Sequence, residues 1–170
     1  MDAAALKQLQ DPLKAKYRAD DKAATVTLKA SGTLDDQKIA CNLETGRALA
    51  VAGLHPLAGG SGAELCSGDM LLEALVACAG VTMKAVATAL EIPLRSAKVL
   101  AEGDLDMRGT LGVAKDAAIG FSAIRLKFEV DADAPQDKLD TLLKLTERYC
   151  VVFQTMNQRP ALSASLSRGV

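Results

Sequence analysis

Tryptophan is absent from the 170-residue chain and aromatic residues make up only 3% of it, so base-stacking platforms and aromatic sugar-binding surfaces have little to be built from. An excess of one charge is also lacking. The 20 Lys and Arg against 21 Asp and Glu leave a formal net charge of −1, too weak a field to hold a polyanion, and neither nucleic acid nor an acidic membrane is expected as a partner. Histidine occurs once, as His55, and none of the four cysteines, Cys41, Cys66, Cys78 and Cys150, stands in C-x-x-C spacing with another. Zinc-finger, haem-attachment and thioredoxin-like signatures are thereby missing, and the irregular set Cys41, His55 and Cys66 is the one metal module left to consider. The first residues, MDAAALKQLQDPLKAKYR, lack the basic start and apolar run of a signal peptide. The longest apolar run, MLLEALVACAGVTM, carries Glu73 and is read as too short to span a bilayer. A cytoplasmic location with reduced thiols follows as the expectation.

What is present is an ordinary globular composition, 49% hydrophobic and 24% charged, in a chain of about one domain's length that can bury a core without disulfides or metals. Residues 1–20 read as an N-terminal helical extension interrupted near Pro12, and residues 21–170 as a single α+β domain. Val26, Leu28 and Ala30, then Ile39, Cys41 and Leu43, alternate with polar neighbours as two strands joined by a turn over residues 32–36. A Gly- and Ser-rich loop from His55 to Asp69 follows. Ser67 suits a helix cap and Asp69 a first-turn acid, and the next twenty residues are apolar on nearly every face, which predicts a central helix buried on nearly every face. Two strands are expected around residues 99–107 and 124–130. Pro135 then opens a helix with Leu139, Leu142, Leu143, Thr146 and Cys150 on one stripe. Val151 to Met156 form a short apolar piece, and Leu162, Ala164 and Leu166 alternate with serines as a final strand. The order helix, ββ, helix, ββ, helix, β defines an α+β fold of antiparallel sheets packed around central buried helices.

Each cysteine has a packing reading and a chemical one. Cys78 sits mid-way along the buried helix on the stripe Leu71, Leu75, Cys78, Thr82, where it is a small hydrophobe or a nucleophile. Apolar surroundings raise a thiol pKa, so a reactive Cys78 requires a cation from elsewhere in the fold, with Arg47, Arg18 and Arg148 as candidates. Cys150, at the end of the other inward stripe, is its natural partner or a second core cysteine. Cys41 is assigned to strand packing and Cys66 to the loop as a bystander or a second redox-sensitive thiol. His55, before Pro56, reads as a turn residue, and GGSG lacks the G-K-[ST] of a phosphate loop.

The stretch SGDMLLEALVACAGVTM behind a Gly-rich loop, with ERYCVVFQTM some distance after it, resembles the OsmC/Ohr family of hydroperoxide-reducing proteins. The resemblance covers the chain from about Val26 onward. It departs from the family pattern in Val151, where a proline usually follows the second cysteine, in Asp69, an aspartate for a glutamate, and in Ser67, where a proline opens the helix. It implies an OsmC-like fold in an intertwined homodimer, no cofactor, and a thiol peroxidase of oxidative stress defence acting on organic hydroperoxides or hydrogen peroxide. In that scheme Cys78 is the peroxidatic cysteine, Cys150 the resolving one, Arg47 the activating guanidinium and Asp69 the acid that holds it. The resulting disulfide is reduced by an external dithiol, lipoyl-type dithiols included. Asp69 precedes Cys78 by nine residues, roughly 13 Å along a helix and on its opposite face, so its service would be to the site of a second copy; its plain reading is helix capping. The alternative function is a non-catalytic binder of small apolar or thiol-reactive molecules in the dimer groove.

Overall fold

The structure, a computed structural model, describes residues 3–34, 41–43, 52–63, 65–166 and 168. Helix α1 (Ala3–Ala19) runs unbroken through Pro12, correcting the expected interruption: one proline removes a single intrahelical hydrogen bond, and the flanking residues keep their helical path. Tyr17 fixes this helix to the domain. Its side chain is fully buried, its hydroxyl donates to the Leu57 carbonyl at 2.6 Å, and burial pushes its pKa up.

Strand β1 (Thr25–Leu34) is longer than its alternation suggests and pairs antiparallel with β2 (Cys41–Leu43), Gly32 opposite Leu43 and Leu34 opposite Cys41. Residues 32–34, expected to open the turn, belong to β1; residues 35–40, Ile39 included, and the side chain of Cys41 lie outside the described residues. The two-residue strands β3 (Ala52–Gly53) and β4 (Leu65–Cys66) pair in parallel as a separate piece. Strands β5 (Leu94–Asp106) and β6 (Phe121–Ala132) complete one antiparallel sheet in the order β2-β1-β5-β6. Its inner face carries Ala97, Val99 and Ala101 of β5 with Ile124, Leu126, Phe128 and Val130 of β6. Its outer face carries charge, with Arg125 Nη2 donating to Asp104 Oδ1 at 2.9 Å.

Helix α2 (Ser67–Ala89) lies on the inner face, burying Leu72, Leu75, Val76, Ala79, Met83 and Ala87. At 23 residues it is long and apolar enough to cross a membrane by length and composition, which amends the reading of its central run as too short. Its buried residues pack on the sheet and on Cys150, the placement of a core helix. It is not covered all round, as Leu71 and Val81 are exposed. The single turn α3 (Met107–Thr110) is capped by Asp106, whose Oδ1 accepts from the Arg108 N–H at 2.9 Å. Helix α4 (Gln136–Tyr149) follows Pro135 and buries Leu142 and Thr146 while Leu143, expected on the same stripe, is exposed.

The chain then forms a further helix, α5 (Val151–Gln158), where only a short apolar piece was expected. The final strand is absent. Residues 161–166 have no regular structure and Leu162 and Leu166 are more than 90% exposed, because alternation alone makes no strand when no neighbouring strand supplies hydrogen bonds.

Candidate active site

The break between α4 and α5 is made by one residue. Cys150, at φ −70° and ψ 105°, leaves the helical region, yet its N–H donates to the Thr146 carbonyl at 2.9 Å and its own carbonyl accepts from Gln154 N–H at 2.9 Å. It thus closes one helix and opens the next. Its sulfur takes the position usually held by a capping oxygen, accepting from the Phe153 N–H at 3.5 Å. The Cys150 side chain is 1% exposed, in the cluster formed by Leu72, Leu75, Val76 and Ala79 of α2.

Cys78 projects from the middle of α2 toward this junction, half-buried. Both cysteines are free thiols in one packed cluster, and each acts on the titration of the other. Cys150, the backbone amides of Val152 and Val151, and Thr82 one turn further along α2 are the donor groups that favour a charged Cys78 sulfur. Burial pushes the Cys78 pKa up, but these donors outweigh it and hold the thiol below its ordinary value of 9.0. Burial pushes Cys150 up as well, and there only the amides of Phe153 and Val152 oppose it while contact with Cys78 adds to it, leaving Cys150 at about 11. Two sulfurs in contact cannot both ionise cheaply, and the amides decide which one does. Cys78 is the thiol that ionises first, and Cys150 the one that keeps its proton.

Among the described residues no arginine acts on the Cys78 sulfur. Arg47 lies outside them. Arg148 is exposed, its guanidinium 5.6 Å from the centroid of the Tyr149 ring, and Arg18 is exposed on α1. Asp69 sits in the first turn of α2, where burial raises its pKa against a smaller lowering by His55. It is not among the groups acting on Cys78. The helix cap is Cys66 rather than Ser67, without a side-chain capping bond. His55 is a turn residue, its Nδ1 accepting from Leu57 N–H at 3.0 Å. Cys66 and His55 line a cavity of about 370 Å³ at the entrance to α2. No group of three or more His, Cys, Asp or Glu that could hold a metal is found among the described residues.

A second cavity, about 340 Å³, is lined by Leu75 of α2, Ile124 and Leu126 of β6, and Phe153 and Met156 of α5, with Ser122 and Asn157 as its polar members. Neither cysteine is among its lining residues. The residues that sequence reasoning missed here are Val151, Val152 and Phe153. They act through main-chain groups, which side-chain identity does not advertise.

A family model for OsmC-like proteins matches residues 60–165, and the chain belongs to that family. The match spans α2, β5, β6, α4 and α5, and so both Cys78 and Cys150. Among solved structures, the crystal structure of an OsmC-like hydroperoxide resistance protein from Jannaschia sp. CCS1 superposes with a TM-score of 0.60 at 15% identity, over 86% of this chain and 95% of that one. At that identity the likeness is one of fold. No curated protein sequence matches the chain.

Proposed function

We propose that the protein is a thiol peroxidase of oxidative stress defence, with Cys78 as the attacking thiol and Cys150 as the resolving one. The observation that carries this reading is the packing of Cys78 and Cys150 in one cluster, with one thiol held below and the other above the ordinary range. The Cys78 thiolate attacks the terminal oxygen of a hydroperoxide, the O–O bond breaks, and the departing alkoxide takes up a proton to leave as alcohol. Cys78 is then a sulfenic acid, held against a protonated Cys150 thiol. Condensation forms the disulfide and releases water, and an external dithiol of lipoyl type returns both thiols by exchange while itself becoming a disulfide. The apolar cluster around Cys78, with Leu72, Leu75, Val76 and Phe153, supports an organic hydroperoxide over hydrogen peroxide as substrate. The name of the structural relative, a hydroperoxide resistance protein, agrees with a hydroperoxide substrate.

Arg47 and Asp69 belong to this proposal as the guanidinium that orients the peroxide and the acid that holds it. Asp69 stands at the far end of α2 from Cys78 in its own chain, so its part requires a homodimer in which it meets the other copy's site. The exposed Leu71 and Val81 of α2 and the exposed Tyr149 and Val151 at the thiol junction are the apolar surface that a second copy would cover. A cytoplasmic setting, which keeps both thiols reduced between turnovers, fits the cycle.

The test is consumption of tert-butyl hydroperoxide in the presence of a dithiol. The Cys78→Ser variant is expected to lose turnover by at least a hundredfold, since sulfur nucleophilicity is lost outright. Undiminished turnover in that variant ends the assignment and favours a non-catalytic binder.

A further inference from the structure

Two largely apolar cavities lie along the Leu71, Leu75 stripe of α2, and one side chain stands between them. The cavity at the helix entrance, about 370 Å³, has Leu71, Met107 and Ile119 in its wall. The other, about 340 Å³, has Leu75, Leu126 and Met156. Phe121, the first residue of β6, is the residue that the two share. Its ring rests on a residue with no side chain. Gly103 of β5 is buried in the sheet opposite Ile124, and a Cβ there would collide with ring carbons Cδ1 and Cε1 of Phe121. Gly103 is not among the glycines of positive φ, so space and not backbone conformation calls for glycine. Glycine weakens a strand interior and marks a close approach; here the ring covers the backbone that the missing side chain leaves bare.

The 340 Å³ cavity is continuous with the surroundings of the thiols. Its apolar members Leu75, Phe121, Ile124, Leu126, Phe153 and Met156 belong to, or pack on, the cluster that holds Cys78 and Cys150. Leu75 precedes Cys78 by three residues, about 4.5 Å along the helix axis, and Phe153 donates its N–H to Cys150 Sγ at 3.5 Å. With the cysteines outside its lining, the cavity is a place for a chain and not for an O–O group.

We propose that this cavity receives the hydrocarbon part of the hydroperoxide and that Phe121 fixes the length of chain accepted. The proposal deepens the peroxidase reading and rests on it. A chain trailing from Cys78 back along α2 passes Leu75 and meets the Phe121 ring before it reaches Leu71, which precedes Cys78 by seven residues, about 10.5 Å. Beyond the ring lies the 370 Å³ cavity, so removal of the ring joins the two spaces. Each methylene that the cavity takes from water adds up to about fourfold to binding. A chain that has met the ring gains nothing further.

The experiment measures kcat/KM for linear primary hydroperoxides, from butyl to dodecyl, in the full-length protein and in its Phe121→Ala variant, with a dithiol present. In the wild type, kcat/KM is expected to rise with chain length and then to level off. In Phe121→Ala the rise is expected to continue, making the dodecyl-to-butyl ratio at least about tenfold greater than in the wild type. A structural loss alone lowers every substrate by the same factor, and an unchanged ratio overturns the proposal. Should the alanine variant not fold, Phe121→Leu, which keeps an apolar side chain and removes the ring, is read in the same way. Turnover of none of the hydroperoxides defeats the peroxidase reading by itself. Chain length is then read from the rise in thermal midpoint produced by the matching linear alcohols, the reduction products. The same levelling in the wild type and its loss in the variant are expected there, and midpoints indifferent to chain length or to the Phe121 substitution overturn the proposal.

Discussion

Cys78 and Cys150 differ in chemistry because they differ in which backbone groups reach them. Groups around Cys78, Val152, Cys150 and Val151 first among them, outweigh the effect of its burial, whereas Cys150 has burial against it and ends at about 11. The consequence is an order of reactivity. Labelling of Cys78 by an alkylating reagent is expected to rise with pH and level off below the ordinary thiol value, while labelling of Cys150 continues to rise toward about pH 11. Site-resolved mass spectrometry of the labelled peptides reads both curves, and Cys150 labelling ahead of Cys78 at neutral pH contradicts the assignment of roles. At this scale the sequence was informative about which thiols sit on inward stripes, since spacing along a helix fixes the face. It was silent about what lowers a pKa, because the donors are main-chain groups and side-chain inspection looks for a cation.

The elements were legible in proportion to their length and regularity. Helix α2, helix α4 and strands β5 and β6 form over the residues whose patterns predict them, except that β5 begins earlier, at Leu94, and Met107, expected on it, opens α3. Short or β-branched segments did not declare themselves: Val151–Gln158 begins with two valines, poor helix formers, and becomes a helix because Cys150 caps it and Val152, Phe153 and Met156 pack on the core. The end of α2 shows a different kind of local device. Ile92 N–H returns to the Ala87 carbonyl at 2.9 Å and Glu91 N–H to Thr88 at 3.1 Å, a Schellman closure with Glu91 at φ 53° in the left-handed position. Glycine takes that conformation without the Cβ penalty. Glu91→Gly is therefore expected to stabilise the protein by about 1 kcal/mol, read as a higher denaturant midpoint at unchanged slope. A lower midpoint contradicts this account of the helix end.

Across the whole molecule, the sheet β2-β1-β5-β6 buries its inner face under α2, and α2 in turn meets the α4–α5 junction, so the thiol pair lies between layers rather than on a loop. With both sulfurs in one cluster of one chain, the proposed disulfide is expected to be intrachain, with no exchange between copies. The apolar face left on α2 is the surface that the proposed second copy would cover. Both statements, and the central claim that the pair is redox-active, meet in one measurement, mass spectrometry of the reduced protein after one equivalent of an organic hydroperoxide. Under native conditions the expected species is a dimer, and under denaturing conditions a single chain lighter by two hydrogens, with Cys78 and Cys150 joined in the peptide map. Two free thiols persisting after the peroxide, or a disulfide between chains, would contradict the account.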